Sequence, residues 1–414
     1  MRSVRVLRTI CGIEHAGLVA LFLVQGAALG TWLVPLSPVL VAHGLGRIVP
    51  YAFASTALAA LVSPLIFGAI ADRHASPVRV LRCLSMATGL AMILATTAIR
   101  LGWNAWAVLG LIQIQALCLS PTASIAATIA FSRLANAGTQ FGPLRAMATL
   151  GWMSGCWLVS ALKADDSTVA GYWGAGLWFL LAIVTFLLPV QEKLSSGALL
   201  TWHERLGLDA LTLLKNRDHR VVFVMTALFC VPLAAFYPYA PPHLRELGFQ
   251  RTSAWMSLGQ VTEIIAMLLL GALLGSWRLK WIFACGLGFG VLRFVLSAMN
   301  TRACLLAGIT MHGFSYALIL ITAQIYLEQR IEAAWRARAQ ALLTLMSSGI
   351  GNLLGYLGTG WWFSSCSSAG GPRWSTFWGG LALVVGLVMA WFLAAYRGKG
   401  PGSHPANERG TSSA

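Results

Sequence analysis

Three groups of residues in this 414-residue chain have types and spacings that suit chemistry, and each lies in an apolar stretch. Gln260 and Glu263 are three apart, so they share a helical face. Arg145, Thr149 and Trp152 follow one another at steps of four and three, again on one face. His312 and Tyr316 are a step of four apart. An acid, a base, an amide, a hydroxyl and several rings suit recognition of a flat polar solute. The rings stack on it, while the polar groups fix its orientation. Ionisable groups inside apolar spans are costly, which makes them functional candidates by default. A structural ion pair between Glu263 and Arg145, and a packing role for His312, stay open as simpler readings. The same residues argue against an enzyme. Ser315 lies near His312, but no GxSG-like turn, aspartate pair or HExxH motif accompanies them. A sensor that binds a solute without moving it is separated only by flux measurements.

The elements that position these groups follow from composition. The chain is 57% hydrophobic and 10% charged, with a mean hydropathy of +0.73. A soluble domain carries about a quarter charged residues to face water, so the solvent implied here is lipid. A spanning helix takes about 20 apolar residues, and such runs recur along the whole sequence. Twelve spans are expected, at 16–42, 48–71, 80–99, 103–131, 143–162, 170–190, 219–242, 254–275, 280–299, 303–328, 338–363 and 375–396. The first begins after Arg2, Arg5 and Arg8 but is too long for a signal-peptide core, so it reads as a membrane helix.

Placing the N-terminus inside puts 21 Lys and Arg at or near the cytoplasmic face and 7 outside, with Arg293 inside a span. Both termini are therefore expected in the cytoplasm. The net charge of +16 then reflects basic inner loops rather than nucleic-acid binding. Residues 191–218 form the longest break, and Leu206, Leu213 and Leu214 among charges suggest an amphipathic helix on the inner surface. The eight scattered cysteines indicate neither disulfides nor a metal site, and no cofactor is expected.

The halves repeat. Pro35 with Pro238, Pro38 with Pro241, and Gly68 with Gly271 all stand 203 residues apart. This predicts an all-α membrane protein of two six-helix halves, 1–190 and 219–398. A linker at 191–218 joins them, and 399–414 form a disordered tail. Proline removes a backbone donor that lipid cannot replace. Breaks at matching places in two halves therefore point to spans one and seven as walls of a central path.

After span two, Gly68, Asp72 and Arg73 form a G-x-x-x-D-R turn, expected in a short inner loop with a role in state switching. At that place in a twelve-span chain it resembles the signature loop of the major facilitator superfamily. The chain further resembles the bacterial nucleoside:proton symporter family, through FGPLRAMATLGW (141–152), LGLDALTLLKN (206–216), SLGQVTEI (257–264), LRFVLSA (292–298), HGFSYA (312–317) and RARAQALL (336–343). The resemblance implies the major facilitator fold and nucleoside contacts from Arg145, Thr149, Trp152, Gln260, Glu263, His312 and Tyr316. It departs at Ala317, where the family commonly has Asp, and at Ala234 and Tyr237, where members place amides. Tyr237 is also counted among the candidate substrate-binding residues.

The implied protein is a monomeric secondary carrier of a bacterial inner membrane. It imports nucleosides with protons by alternating access, and Glu263 couples the proton. A different polar solute, such as a sugar or an aromatic acid, or a facilitator without proton coupling, remains the alternative at this point.

Overall fold

The structure, a computed structural model, describes residues 16–73, 76–134, 137–189, 203 and 208–398. Twelve long helices run through them: α1 (Ala16–Ala42), α2 (Val49–Arg73), α3 (Pro77–Arg100), α4 (Ala105–Phe131), α5 (Ala137–Ala161), α6 (Val169–Leu187), α7 (Arg217–Glu246), α8 (Thr252–Ser276), α9 (Leu279–Ala298), α10 (Arg302–Arg330), α11 (Trp335–Ser365) and α12 (Trp374–Ala395). Eleven are long and apolar enough to cross a membrane. The twelfth, α5, has the length, at 25 residues, but carries Arg145 and a polar face. The mean polarity that sets it apart comes from the same residues that make it interesting.

The pairing of helices is the same in both halves. α1 packs on α5, α3 on α4 and α6, and α2 on α4; six helices later α7 packs on α11, α9 on α10 and α12, and α8 on α10. Each half has its own apolar core. One is built around Leu21, Phe53 and Trp178, the other around Phe229, Phe294 and Trp378. The cores interlock where Ala234 and Tyr356 enter the first, and Val34 and Cys156 enter the second.

Among the described residues four helices are interrupted, α1, α4 at Ser120–Pro121, α7, and α8 at Ser257; the breaks of α1 and α7 lie by the prolines, but in a register other than the one the sequence suggested. α1 turns at Val34–Pro35 and α7 at Ala234–Ala235. Each break lies four residues before a proline, Pro38 and Pro238, whose missing N–H leaves the carbonyl one turn earlier without its helical donor. The breaks therefore set Pro38, rather than Pro35, against Pro238. The two segments beyond the breaks meet, with Ser37 Oγ donating to the carbonyl of Pro238 at 2.5 Å.

Further corrections concern ends of elements. Gly68, Asp72 and Arg73 belong to the last turns of α2, not to a loop, and their side chains lie outside the described residues. Helix α5 begins at Ala137, so Arg145 stands in its third turn instead of at its start. Of the linker, Leu208–Lys215 is a 3-10 helix rather than an α-helix, with Leu213 and Leu214 packed against the second core. Residues 190–202 and 204–207, including Leu206, and the tail from 399 lie outside the described residues.

The polar contacts described between the halves gather at one end, the end of the loops that join α1 to α2 and α7 to α8. We call it the distal end. There Asp165, between α5 and α6, accepts from the backbone N–H of Ser253 at 2.6 Å and from Ser160 Oγ at 2.9 Å. Ser160 Oγ in turn accepts from the N–H of Ala254 at 3.0 Å. A carboxylate of the first half thus caps the N-terminus of α8 in the second, where the helix dipole favours negative charge. Arg245 pairs with Asp166 at 2.5 Å, and Trp157 Nε1 donates to Ser257 Oγ at 3.0 Å.

Candidate functional site

Between the halves lies a cavity of about 360 Å³. α1 supplies Phe22, Gln25, Gly26 and Leu29; α4 supplies Ala123 and Ala127; α5 supplies Phe141, Arg145, Ala148, Thr149 and Trp152. From the second half come Leu233, Ala234 and Tyr237 of α7, Gln260 and Glu263 of α8, His312 and Tyr316 of α10, and Asn352 and Tyr356 of α11. All eight substrate-site candidates read from the sequence line this one cavity. The lining reaches Ala127 and Phe141 near the end opposite the distal contacts, so the cavity is sealed distally and extends toward the end where Ala16 and Arg397 lie. A larger hollow of about 770 Å³ sits between α8, α9 and α12, walled by Trp277, Trp281, Phe289 and Met389. It lies on one half alone, and Arg278 is its one ionisable side chain besides Cys285, so the central cavity carries the chemistry.

Close packing of α1 on α5 fixes the first wall. Gly26 and Gly30 on α1, and Gly151 and Gly155 on α5, are both G-x-x-x-G pairs, which let helix backbones approach. A Cβ on Gly26 would strike the carbonyl of Ala148, on Gly30 that of Trp152, on Gly151 that of Leu23 and on Gly155 that of Ala27. With backbones in contact, α5 has one depth and one rotation against α1. Arg145, Thr149 and Trp152 are presented accordingly. In the second half, Gly313 plays the same part. A Cβ there would meet the backbone of Glu263 and Gly259, which seats α10 against α8 and sets His312 beside Gln260 and Glu263. The break at Ala234 lines the cavity as its sequence suggested; the break at Val34 does not, being buried in the second core.

The polar groups fall into two kinds. Some are held by the protein. Gln260 Nε2 donates to Tyr237 Oη at 3.2 Å, and Tyr237 leans on Trp152 with ring centres 5.6 Å apart. Gln25 Nε2 donates to Thr122 Oγ1 at 3.1 Å. Others lack a protein partner. Trp152 Nε1, a donor, and Gln260 Oε1, an acceptor, are buried without a protein partner. A buried polar atom left unpaired costs about 1–3 kcal/mol, so each is a costly unpaired group on a residue of the cavity wall. Glu263 is half-buried and Arg145 exposed to the cavity. The ion pairs among the described residues are Arg245 with Asp166 and Arg336 with Glu328, so Arg145 and Glu263 face one space without closing into a structural pair. Ala317 is fully buried and is not among the cavity residues.

Sequence reasoning missed several wall residues. Gln25 and Asn352 are amides inside spans, and the rule that nominated Glu263 for being polar at membrane depth applies to them as well. Phe22 and Tyr356 carry no such signal, because an aromatic in an apolar span is indistinguishable from a core residue. Arg293 was placed within a span but not assigned to the site. It is buried in α9 with Nη1 2.6 Å from Nδ1 of His312. Among the described residues, no group of His, Cys, Asp and Glu has an arrangement suited to a metal ion.

With this geometry in hand, three comparisons bear on it. A family profile described as nucleoside H+ symporter matches residues 14–400. YegT of Escherichia coli K12 is 31% identical over 388 residues, which cover 89% of this chain and 90% of that one. The xanthosine permease of the same organism is 25% identical, covering 87% and 91% of the two chains. Among solved structures, a mutant of the nucleoside transporter NupG superposes with a TM-score of 0.84 at 26% identity, over 92% of this chain and 99% of that one.

Proposed function

The chain belongs to the nucleoside H+ symporter family, and on that premise we propose that the central cavity is where a nucleoside and a proton are carried across the membrane. The protein is a multi-pass membrane carrier with the major facilitator fold that imports nucleosides coupled to protons. We assign the substrate to the eight residues read from the sequence. Trp152, Tyr237 and Tyr316 flank the base. Gln260 and Trp152 offer the open acceptor and donor, Thr149 and Arg145 address hydroxyl and carbonyl oxygens, and His312 contributes a ring N–H. Glu263 takes the proton, since it is the one carboxylate among the described residues of the cavity wall.

The observation that carries this reading is the convergence of those residues, from both halves, on one cavity sealed at one end. Alternating access follows from it. Rocking the halves about the cavity breaks the distal contacts and closes the opposite end. The excess of basic residues near the end that holds Ala16 and Arg397 supports placing that end in the cytoplasm of a bacterial inner membrane, which makes this state inward-facing. Gly68, Asp72 and Arg73, at the inner end of α2, are assigned to switching between states. The cavity is complete within one chain, which supports function as a monomer.

The test is uptake of radiolabelled uridine in cells lacking their own nucleoside carriers, with and without a protonophore. Accumulation above the external concentration that collapses with the protonophore is expected. Sugar or aromatic-acid competition that displaces uridine from the purified protein more strongly than adenosine does would replace the substrate class.

A further inference from the structure

His312 is held from behind by a permanent cation. Arg293 is 2% exposed, and Nη1 lies 2.6 Å from His312 Nδ1. Its guanidinium also sits 4.7 Å from the ring centre of Phe236 and 4.5 Å from that of Phe294. Phe236 in turn stacks on His312, with centres 3.9 Å apart and planes 14° from parallel. A guanidinium has donors only and keeps its proton, so the short contact requires Nδ1 of His312 to be the acceptor. A neutral imidazole with an accepting Nδ1 carries its hydrogen on Nε2. Protonating the ring would put a second hydrogen on Nδ1, break this bond and set two cations against each other.

We infer that Arg293 is a positioning residue that fixes His312 as a neutral Nε2–H donor and so bars it from carrying the transported proton. The inference rests on the cavity being the transport site and narrows the assignment there: the proton goes to Glu263, and His312 reads a hydrogen-bond acceptor on the solute. The other groups around His312 are consistent with this. Tyr237 faces it from α7 at 6.2 Å and Tyr316 from its own helix at 6.0 Å between ring centres. Gln260 and Glu263 come from α8, the helix packed against α10, and Gly259 of that helix lies against the ring. Glu263 is the one anionic candidate in this set, and the cation at Nδ1 opposes the attraction a carboxylate would exert on a ring proton.

The decisive measurement is the ring ¹⁵N spectrum of the purified protein with labelled histidine, the His312 signal being identified by its loss in His312→Gln. We expect a neutral ring protonated on Nε2, unchanged from pH 5.5 to 8. Arg293→Met should release the ring to titrate or to exchange tautomers and weaken uridine binding about tenfold, the worth of one hydrogen bond. Arg293→Lys, which still donates, should restore most of both. An Nδ1-protonated ring in the wild type, a wild-type ring that titrates in that range, or a spectrum unmoved by Arg293→Met overturns the inference. The wild-type spectrum decides it even if the Met variant does not fold. A fixed Nε2–H ring in a protein that binds no nucleoside would instead remove the substrate reading and leave the role of Arg293 standing.

Discussion

At the scale of single residues, Glu263 carries the sharpest expectation. It is the carboxylate among the described residues of the cavity wall, and Ala317, where the family resemblance implies a second acid, is buried away from the cavity. On the proposed reading, Glu263 is the carboxylate among the described cavity residues through which proton coupling acts. Glu263→Gln mimics the protonated acid in shape and charge. It should abolish protonophore-sensitive accumulation while preserving exchange of labelled for unlabelled substrate. Continued accumulation against a gradient in this variant would mean that another group carries the proton. On the proposed reading, the unpaired donor of Trp152 and acceptor of Gln260 are the groups a polar ring would satisfy. A solute lacking both partners leaves two buried groups unpaired, at about 1–3 kcal/mol each.

At the scale of elements, two contacts govern what the residues can do. The first is the crossing of α1 on α5 through Gly26, Gly30, Gly151 and Gly155. A side chain at Gly151 meets the backbone carbonyl of Leu23, which cannot rotate away as a side chain would. Overpacking of this kind costs about 1–3 kcal/mol. Gly151→Ala should accordingly lower the unfolding temperature in detergent and weaken substrate binding together, because it lifts Arg145, Thr149 and Trp152 off their seat. An equal substitution at Gly110, where added bulk meets nothing, is the control, and equal behaviour of the two variants would dismiss the role of the crossing. The second contact is the cap that Asp165 provides for α8. Hydrogen bonds to a charged group contribute about 1.5–3 kcal/mol, enough to shift a two-state equilibrium by roughly 10- to 100-fold. Asp165→Ala should populate the distally open state. A cysteine introduced at Leu29, on the cavity wall, should then react faster with an impermeant maleimide added from outside. No gain in labelling would show that the cap does not hold the closed state.

At the scale of the whole molecule, the arrangement is two six-helix units with matching internal pairings and a cavity at their seam. Sealing at one end is a property of the seam, where the polar contacts between the halves among the described residues lie together. The proposed orientation in the membrane rests on the basic residues near the end that holds Ala16 and Arg397. Reporter fusions at Ala414 and at Ser195 should both report the cytoplasm; an external signal from either would invert the assignment of inward-facing and outward-facing states.

What the sequence determined by itself was whatever depends on solvent and local chemistry. Lipid as solvent fixed the number of helices, since each crossing needs its own apolar run. The cost of charge at membrane depth singled out Glu263 and Arg145, and helical periodicity gathered Gln260, Thr149, Trp152, His312 and Tyr316 around them. Tertiary structure decided everything that depends on which backbone lies against which. It set the helix breaks at Val34 and Ala234, so that Pro38 rather than Pro35 answers Pro238, because a proline acts on the carbonyl one turn before it. It placed Arg145 inside α5 and kept it from closing on Glu263. It turned the glycine pairs into a helix crossing, brought Asp165 to a helix end some ninety residues on, and put Arg293 behind His312. The contacts of Asp165, of Arg293 and across the α1–α5 crossing join residues of different helices, which meet only when two helices take one depth and one rotation.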